Sequence, residues 1–371
     1  MNRRGMALVV ALVTLVVLAL AAAGAVLAAA QAFSAAAERT DALRARTLAG
    51  SAARMAAVAA WPAVRRLPPS AALPGPDLAD RSDAAGHAAI RRLAPGWIAI
   101  EGDGRARRAH ARAGLLLRLL ELRELLAPFP AAITGASVAL GATATVDGAD
   151  PAGAPVGWPA AWCDGAVDTV AAVFGTGARA GVLVPAPGAL GAAAGATLAG
   201  APPVDVSAPP AAGTAGLGPL DWARIAAVAD RTETGTVRLA PAADAGGCDR
   251  SAAGNWGDPA DPAGSCADYA PLIFAPGDLR VAGGAGQGVL VVTGSLTLDS
   301  GTAFIGPILV AGNVVAASGV TLDGALRAGG AVAWDGMARY RACALVRAVA
   351  QAPGLARPFR PPGRWWLPAY E

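Results

Sequence analysis

Lysine is absent from the 371 residues, so all 30 basic residues are arginine. A Walker-type phosphate loop is therefore excluded, because its lysine reaches the nucleotide phosphates. Lysine Schiff-base chemistry is excluded as well. Histidine is nearly absent, with only His87 and His110, which leaves little for histidine-rich metal centres. Charged residues make up 15%, against roughly 25% in an average soluble protein. The net charge of +3 is small and dispersed, so nothing argues for nucleic acid as a partner. The sequence contains no GxSxG elbow, HExxH pair or CxxC pair, which sets aside elbow-type hydrolases, zincins and thioredoxin-like sites. What is abundant is apolar: 54% hydrophobic residues, much of it alanine, with 47 glycines and 29 prolines. The length predicts about two domains plus extra segments.

Met6 to Ala30 carries no charge, and only Thr14 and Gly24 interrupt its apolar character. At about 1.5 Å per residue, such a run crosses the roughly 30 Å hydrocarbon core of a bilayer. It is longer than the 7–15 residues or so of a cleavable secretory h-region. Ala28, Ala29 and Ala30 nevertheless form a small-residue site that a signal-peptide reading would use. Arg3 and Arg4 precede the run and no basic residue follows until Arg39. The positive-inside rule then places the N-terminus in the cytoplasm and the remainder across the inner membrane, in a single pass.

The junction itself is distinctive: a five-residue leader, MNRRG, ends in Gly5, and the apolar run MALVVALVTLVVLAL starts at Met6. This resembles a class III prepilin leader, as in type IV pilins and type II secretion pseudopilins. The resemblance implies cleavage between Gly5 and Met6 by a prepilin peptidase, and methylation of the new N-terminus. Major pilins carry glutamate at the fifth mature position, whereas Val10 stands here. In lacking it, the chain is similar to minor pilins of the PilX and general-secretion K-subunit kind. The resemblance implies a minor or tip-associated subunit and, as partners, other pilin or pseudopilin subunits.

Residues 31–61 continue a helical composition, rich in Ala, Leu, Arg and Glu and free of proline until Pro62. Phe33, Ala36, Thr40, Leu43, Thr47, Met55 and Val58 recur at near-helical spacing and are the expected packing face. Residues 6–61 are thus expected to form one helix, apolar first and amphipathic later, as the pilin helix is laid out. Pro62, Pro68, Pro69, Pro74 and Pro76 mark residues 62–80 as a linker. A β-rich head with a Gly/Pro-rich insertion is expected over 81–270. Within it, Trp97–Ile100 reads as a strand, Gly102-Asp103-Gly104 as a turn and residues 105–112 as the return strand. Residues 115–126 fit helix and strand equally. The arginines at 105, 107, 108 and 112 fit either a phosphate or lipid contact or a solvated strand face.

The clearest periodicity lies further on. Blocks starting at Gly288, Gly306 and Gly324 align without a gap at an 18-residue spacing, with large apolar residues alternating between corner glycines. That pattern predicts a short β-solenoid of about 18 residues per coil over 271–336. Residues 272–281 fit a preceding coil with a one-residue slip, and residues 136–151 fit an earlier one. Residues 337–351 are expected to close the stack as a helix. The Pro- and Trp-rich tail to 371, with Trp365 and Trp366, is expected to fold back onto the body. A twisted antiparallel sheet is the alternative. The fold class is thus α+β with a mainly β head.

Cys163, Cys248, Cys266 and Cys343 all follow the apolar run, and an even number on the exported side predicts disulfides. Three pairings exist, of which Cys248–Cys266 with Cys163–Cys343 is preferred. The loop between Cys248 and Cys266 offers Asp249, Asp258 and Asp261 as candidate calcium ligands. Its spacing is not that of an EF-hand, and Asp-Pro turn chemistry accounts for the same residues. No other cofactor is expected. Around this loop and the blocks after it, residues 250–335 resemble the heads of PilX-type proteins, which implies no particular activity. A GxGxxA match at 175–180 lacks the helix that a dinucleotide site requires. Asp299 and Asp335 share one column of the repeat and supply the only motive for a polysaccharide-active enzyme. The expectation is therefore a non-enzymatic structural subunit, at the cell surface or in the periplasm after filament assembly. A membrane-anchored adhesin or glycan-active protein is the alternative.

Overall fold

The computed structural model describes residues 3–59, 71–75, 77–81, 83–94, 96–149, 154–155, 158–175, 177–207, 216–217, 220–356 and 366–368. The chain divides into two compact units, residues 1–119 with 358–371 and residues 120–357. The expected single head over 81–270 is thus divided at residue 119.

The first unit is built on α1 (Arg3–Ala59), a helix of 57 residues. It contains no proline to break its hydrogen-bond ladder. It also begins upstream of Met6, so Gly5 and Met6 lie within it. One helix here is long and apolar enough to cross a membrane, and its most apolar stretch has a mean hydropathy of 2.8 with none of it buried. Burial begins only around Ala45, and it does not fall on the expected face. Phe33, Leu43 and Met55 are 78%, 59% and 46% exposed, while Ala45, Ala49, Ala52, Ala53 and Ala56 are fully buried. The helix uses its smallest residues because of what it packs on.

That partner is an antiparallel sheet in which β1 (Ala72–Pro74) and β2 (Leu78–Arg81) both pair with β3 (Ala84–Ala94). It continues through β4 (Trp97–Ala106) and β5 (Ala109–Arg118) to the tail strand Trp366–Pro368. Residues 72–74 and 78–81, expected in the linker, are therefore strands; residues 60–70 lie outside the described part. Strands β3 and β4 alternate buried and exposed residues, as a half-buried sheet must. The expected turn at residues 102–104 does not exist: β4 runs through it, and the chain reverses at Arg107 and Arg108, where Arg107 has φ +49°. Gly102 and Gly104 serve close approach instead. A Cβ on Gly102 would meet the carbonyl oxygen of Ala49, and one on Gly104 that of Ala45. Further along, Ala52, Ala53 and Ala56 close over Ile90, Ile98, Ile100, Leu115 and Leu117. Of residues 115–126, the first part belongs to β5, and residues 122–126 form a helical turn.

The second unit is strand-rich, and its two large sheets are parallel. In the first, Leu290 lies beside Ile308 and Ile308 beside Leu326, at steps of 18 residues. In the second, Leu296 lies beside Val314 and Val314 beside Val332. Upstream the step is 17: Leu272 pairs with Val289 and Leu279 with Leu296. Inner strands of the seven-stranded sheet alternate buried and exposed, as in Ser137–Leu140 and Ala331–Trp334. In the first sheet Ala131–Thr134, Leu272–Ala275 and Val289–Val292 are buried at every position, the mark of parallel strands covered on both faces. The outer cover is the helix Ala342–Gln351, which packs on strands Thr302–Val310 and Thr321–Ala328. This helix, expected to close the end of the stack, therefore lies along its side, and Met337–Arg339 is one more parallel strand.

The end of the repeat is covered by chain from far upstream. Ala331–Trp334 pairs with Ser137–Leu140, Met337–Arg339 with Thr145–Asp147, and Leu326 lies beside Ile133. Residues 136–147 thus follow the last block in space although they precede the first in sequence. Beyond them come Ala180–Val184, Leu190–Ala192 and Thr197–Ala199. At the other end stand Arg231–Thr232 and Gly235–Val237, beside the 272–281 strands.

Candidate functional site

The largest unpartnered feature is the projecting part of α1. Val9, Leu12, Leu15, Leu18, Leu20 and Leu27 are all more than 60% exposed. This surface can take up lipid or a like helix, and it carries no group capable of acid–base or nucleophilic chemistry. Arg3, Arg4, Gly5 and Met6 lie at its start, in helical backbone.

Where α1 leaves the sheet, its side chains face the β4–β5 turn across a cleft of about 580 Å3. Arg107 is fixed there by Asp83, through Nε donating to a carboxylate oxygen at 3.1 Å and its backbone N–H donating to the Asp83 carbonyl at 2.8 Å. The Arg107 hydrogen bond holds the Asp83 carboxyl below the ordinary carboxylate range. Of the arginines at 105, 107, 108 and 112, read as either a phosphate or lipid contact or a solvated strand face, Arg105 and Arg112 each stand 3.7 Å from Asp103, on the outer face of the sheet. His110 is 2.7 Å from the same carboxylate, and His87 contacts Asp77 at 2.7 Å.

Disulfides join Cys163 to Cys343 and Cys248 to Cys266. The first ties the short turn Ala160–Cys163 to the helix Ala342–Gln351. One turn further along that helix, Arg347 lies 3.6 Å from the Trp162 ring centre and 5.5 Å from that of Trp158. It donates to Asp268 at 2.6 Å. Burial pulls the Arg347 pKa down and Asp268 opposes that. The second disulfide flanks Asn255, whose amide donates to the carbonyls of Ala242 and Asp249 at 3.0 and 2.7 Å. Trp256, fully buried, donates to Glu233, which pairs with Arg231 at 2.9 Å. None of these roles for Asn255, Trp256 or Arg347 is foreshadowed by a motif.

The candidate calcium ligands are employed otherwise. Asp249 accepts from Ser251, Asp258 from the N–H groups of Ala260 and Asp261, and Asp261 from that of Ala263. These are Asx turns, and no metal-binding group of three or more His, Cys, Asp or Glu occurs among the described residues. The glycines at 175 and 177 end the helix Ala166–Phe174 rather than open one. Arg179 donates to the carbonyls of Phe174, Gly175 and Gly177 there, so the segment presents a helix C-terminus and not the N–H groups that a phosphate requires. Asp299 is held by Arg280 at 2.9 Å, and Asp335 by the backbone and hydroxyl of Thr143, both at 2.9 Å. Both carboxylates are thus corner ties between neighbouring strands.

No family model, no curated protein and no solved structure matches the chain.

Proposed function

We propose that this chain is a minor pilin- or pseudopilin-like subunit of a type IV pilus or type II secretion filament, with a structural role in assembly or at the tip. One observation carries the reading: a single helix projects a bare apolar half and packs its other half, alanine against glycine, on an antiparallel sheet. Such a helix is stored in the inner membrane by hydrophobic burial. It is then transferred to a filament core, where apolar neighbours replace lipid. Phe33 and Leu43, left exposed beyond the apolar run, extend the surface available to neighbouring helices. The parallel strands at steps of 17 and 18 residues support reading the second unit as a short β-solenoid that stands in the extracytoplasmic space. With Asp299 and Asp335 both engaged in corner ties, a structural role is favoured over glycan hydrolysis.

The test is the intact mass of the mature chain. The proposal expects a chain starting at methylated Met6, and expects Gly5→Val to abolish leader removal. An N-terminus at Gln31, or normal processing of the Gly5→Val variant, would overturn it.

A further inference from the structure

The cleft beside the β4–β5 turn combines two opposite sets of charges. Ser34, Ala37, Glu38 and Asp41 come from α1, and Arg107 and Arg108 from the turn. Residues 34, 38 and 41 share one face of the helix by their spacing. Arg107 is held by Asp83, whereas Glu38, Asp41 and Arg108 have no ion-pair partner among the described residues. Two uncommitted carboxylates thus look across an open cleft at two guanidinium groups.

The height of the cleft on the helix is as informative as its charges. The apolar run ends at Ala30, and Ser34 stands about 6 Å further along the axis, Asp41 about 16 Å. The polar headgroup layer extends roughly 5–8 Å beyond the hydrocarbon on each side, which takes in Ser34 at the lower end of the cleft. Glu38 and Asp41 stand above it, on a helix whose side chains lean back toward its N-terminus and so toward the membrane, and tilt lowers them further. Arginine side chains reach along a surface to place their charge in such a layer.

We propose that the cleft holds the headgroup of a zwitterionic aminophospholipid, its phosphate on Arg107 and Arg108 and its primary ammonium on Glu38 and Asp41. The assignment rests on reading Met6–Ala30 as the membrane-spanning segment. Guanidinium groups bind phosphate oxygens through paired, charge-assisted hydrogen bonds. A primary ammonium donates three hydrogen bonds to carboxylates; a quaternary ammonium donates none. An anionic headgroup without an amine leaves Glu38 and Asp41 facing a phosphate of like charge. The cleft therefore discriminates by attraction and by repulsion together.

The full-length chain in detergent is mixed with equal amounts of ethanolamine, choline and glycerol phospholipids bearing identical acyl chains, and retained lipid is counted by native mass spectrometry. The expectation is a roughly tenfold preference for the ethanolamine lipid, the ratio that about 1.4 kcal/mol produces. The double variant Glu38→Gln with Asp41→Asn is expected to lose the preference over choline, and Arg108→Glu to lose retention of all three. Equal retention by the wild type, or an unchanged preference in the double variant, overturns the proposal. Flotation with vesicles separates the two layers of the argument. A chain that floats with every vesicle but shows no headgroup preference refutes the cleft alone. A chain that floats with none refutes the membrane segment and the cleft with it.

Discussion

Three glycines of the sheet, at 86, 102 and 104, decide how closely α1 can approach it. A side chain at Gly104 would strike the backbone of α1 at Ala45, and neither the sheet nor a 57-residue helix can yield locally. Gly104→Ala is expected to destabilise the first unit by about 1–3 kcal/mol, the usual cost of overpacking. Gly277, with open space around it, is the control, and Gly277→Ala should stay within about 0.5 kcal/mol of wild type; denaturant unfolding reads both. Asp83 supplies a test in pH. Its folded pKa lies below the ordinary 3.8 because of Arg107. Its contribution is therefore complete above the unfolded value and fades as pH falls through the folded one. The stability difference between wild type and Asp83→Asn should be present at neutral pH and vanish in strong acid. A difference that persists or grows there would contradict the Arg107 pairing.

The repeat strands are joined by more than backbone pairing. At one corner Asp278 accepts from the Ser295 N–H at 2.7 Å, the Ser295 hydroxyl from the Asn313 N–H at 3.3 Å, and Asn313 from the Ala331 N–H at 2.9 Å. Asn313→Ala removes the last rung and should cost about 1 kcal/mol, with faster hydrogen exchange at Ala331 as the local signature. Gly306 and Gly324, at φ +132° and +157°, sit where a Cβ would meet the glycine of the strand before. The 18-residue spacing of glycines is therefore a steric requirement of stacking. The covering helix is held by the Cys163–Cys343 disulfide, whose partners are 180 residues apart; Cys248 and Cys266 are 18 apart. In the chain-entropy account, replacing the first pair by serine lowers stability by about 5 kcal/mol and the second by about 3 kcal/mol. Thermal unfolding of the two double variants checks the order.

At the scale of the molecule, each unit has a core of its own. One is formed by α1 and its sheet, the other by the parallel strands and the helix Ala342–Gln351. Units with separate cores unfold separately by default. Calorimetry on the full chain should therefore resolve two transitions. Gly104→Ala should lower one and the Cys163/Cys343 double variant the other. A single transition lowered by both substitutions would contradict this division. The tail strand Trp366–Pro368 belongs to the first unit by its pairing with β5, so the chain passes between the units twice.

The sequence by itself determined the features that depend on local composition and period. These are the apolar run, the helix that continues it, the 18-residue step of the strands and the one-residue slip before them. Each is a pattern that backbone geometry reads directly, at 3.6 residues per turn or two per pleat. It did not determine which face of α1 is buried. Hydrophobicity pointed to Phe33, Leu43 and Met55, and only the glycine-paved sheet makes alanine the better contact. The turn expected at residues 102–104 failed for the same reason, because glycine permits close packing as readily as it permits turning. The turns at Asp249, Asp258 and Asp261 were legible, because their bonds reach only two or three residues along the chain. The placing of residues 131–147 beyond the last repeat was not. That depends on which distant segment of chain arrives beside the final strands, and only the tertiary structure decides it.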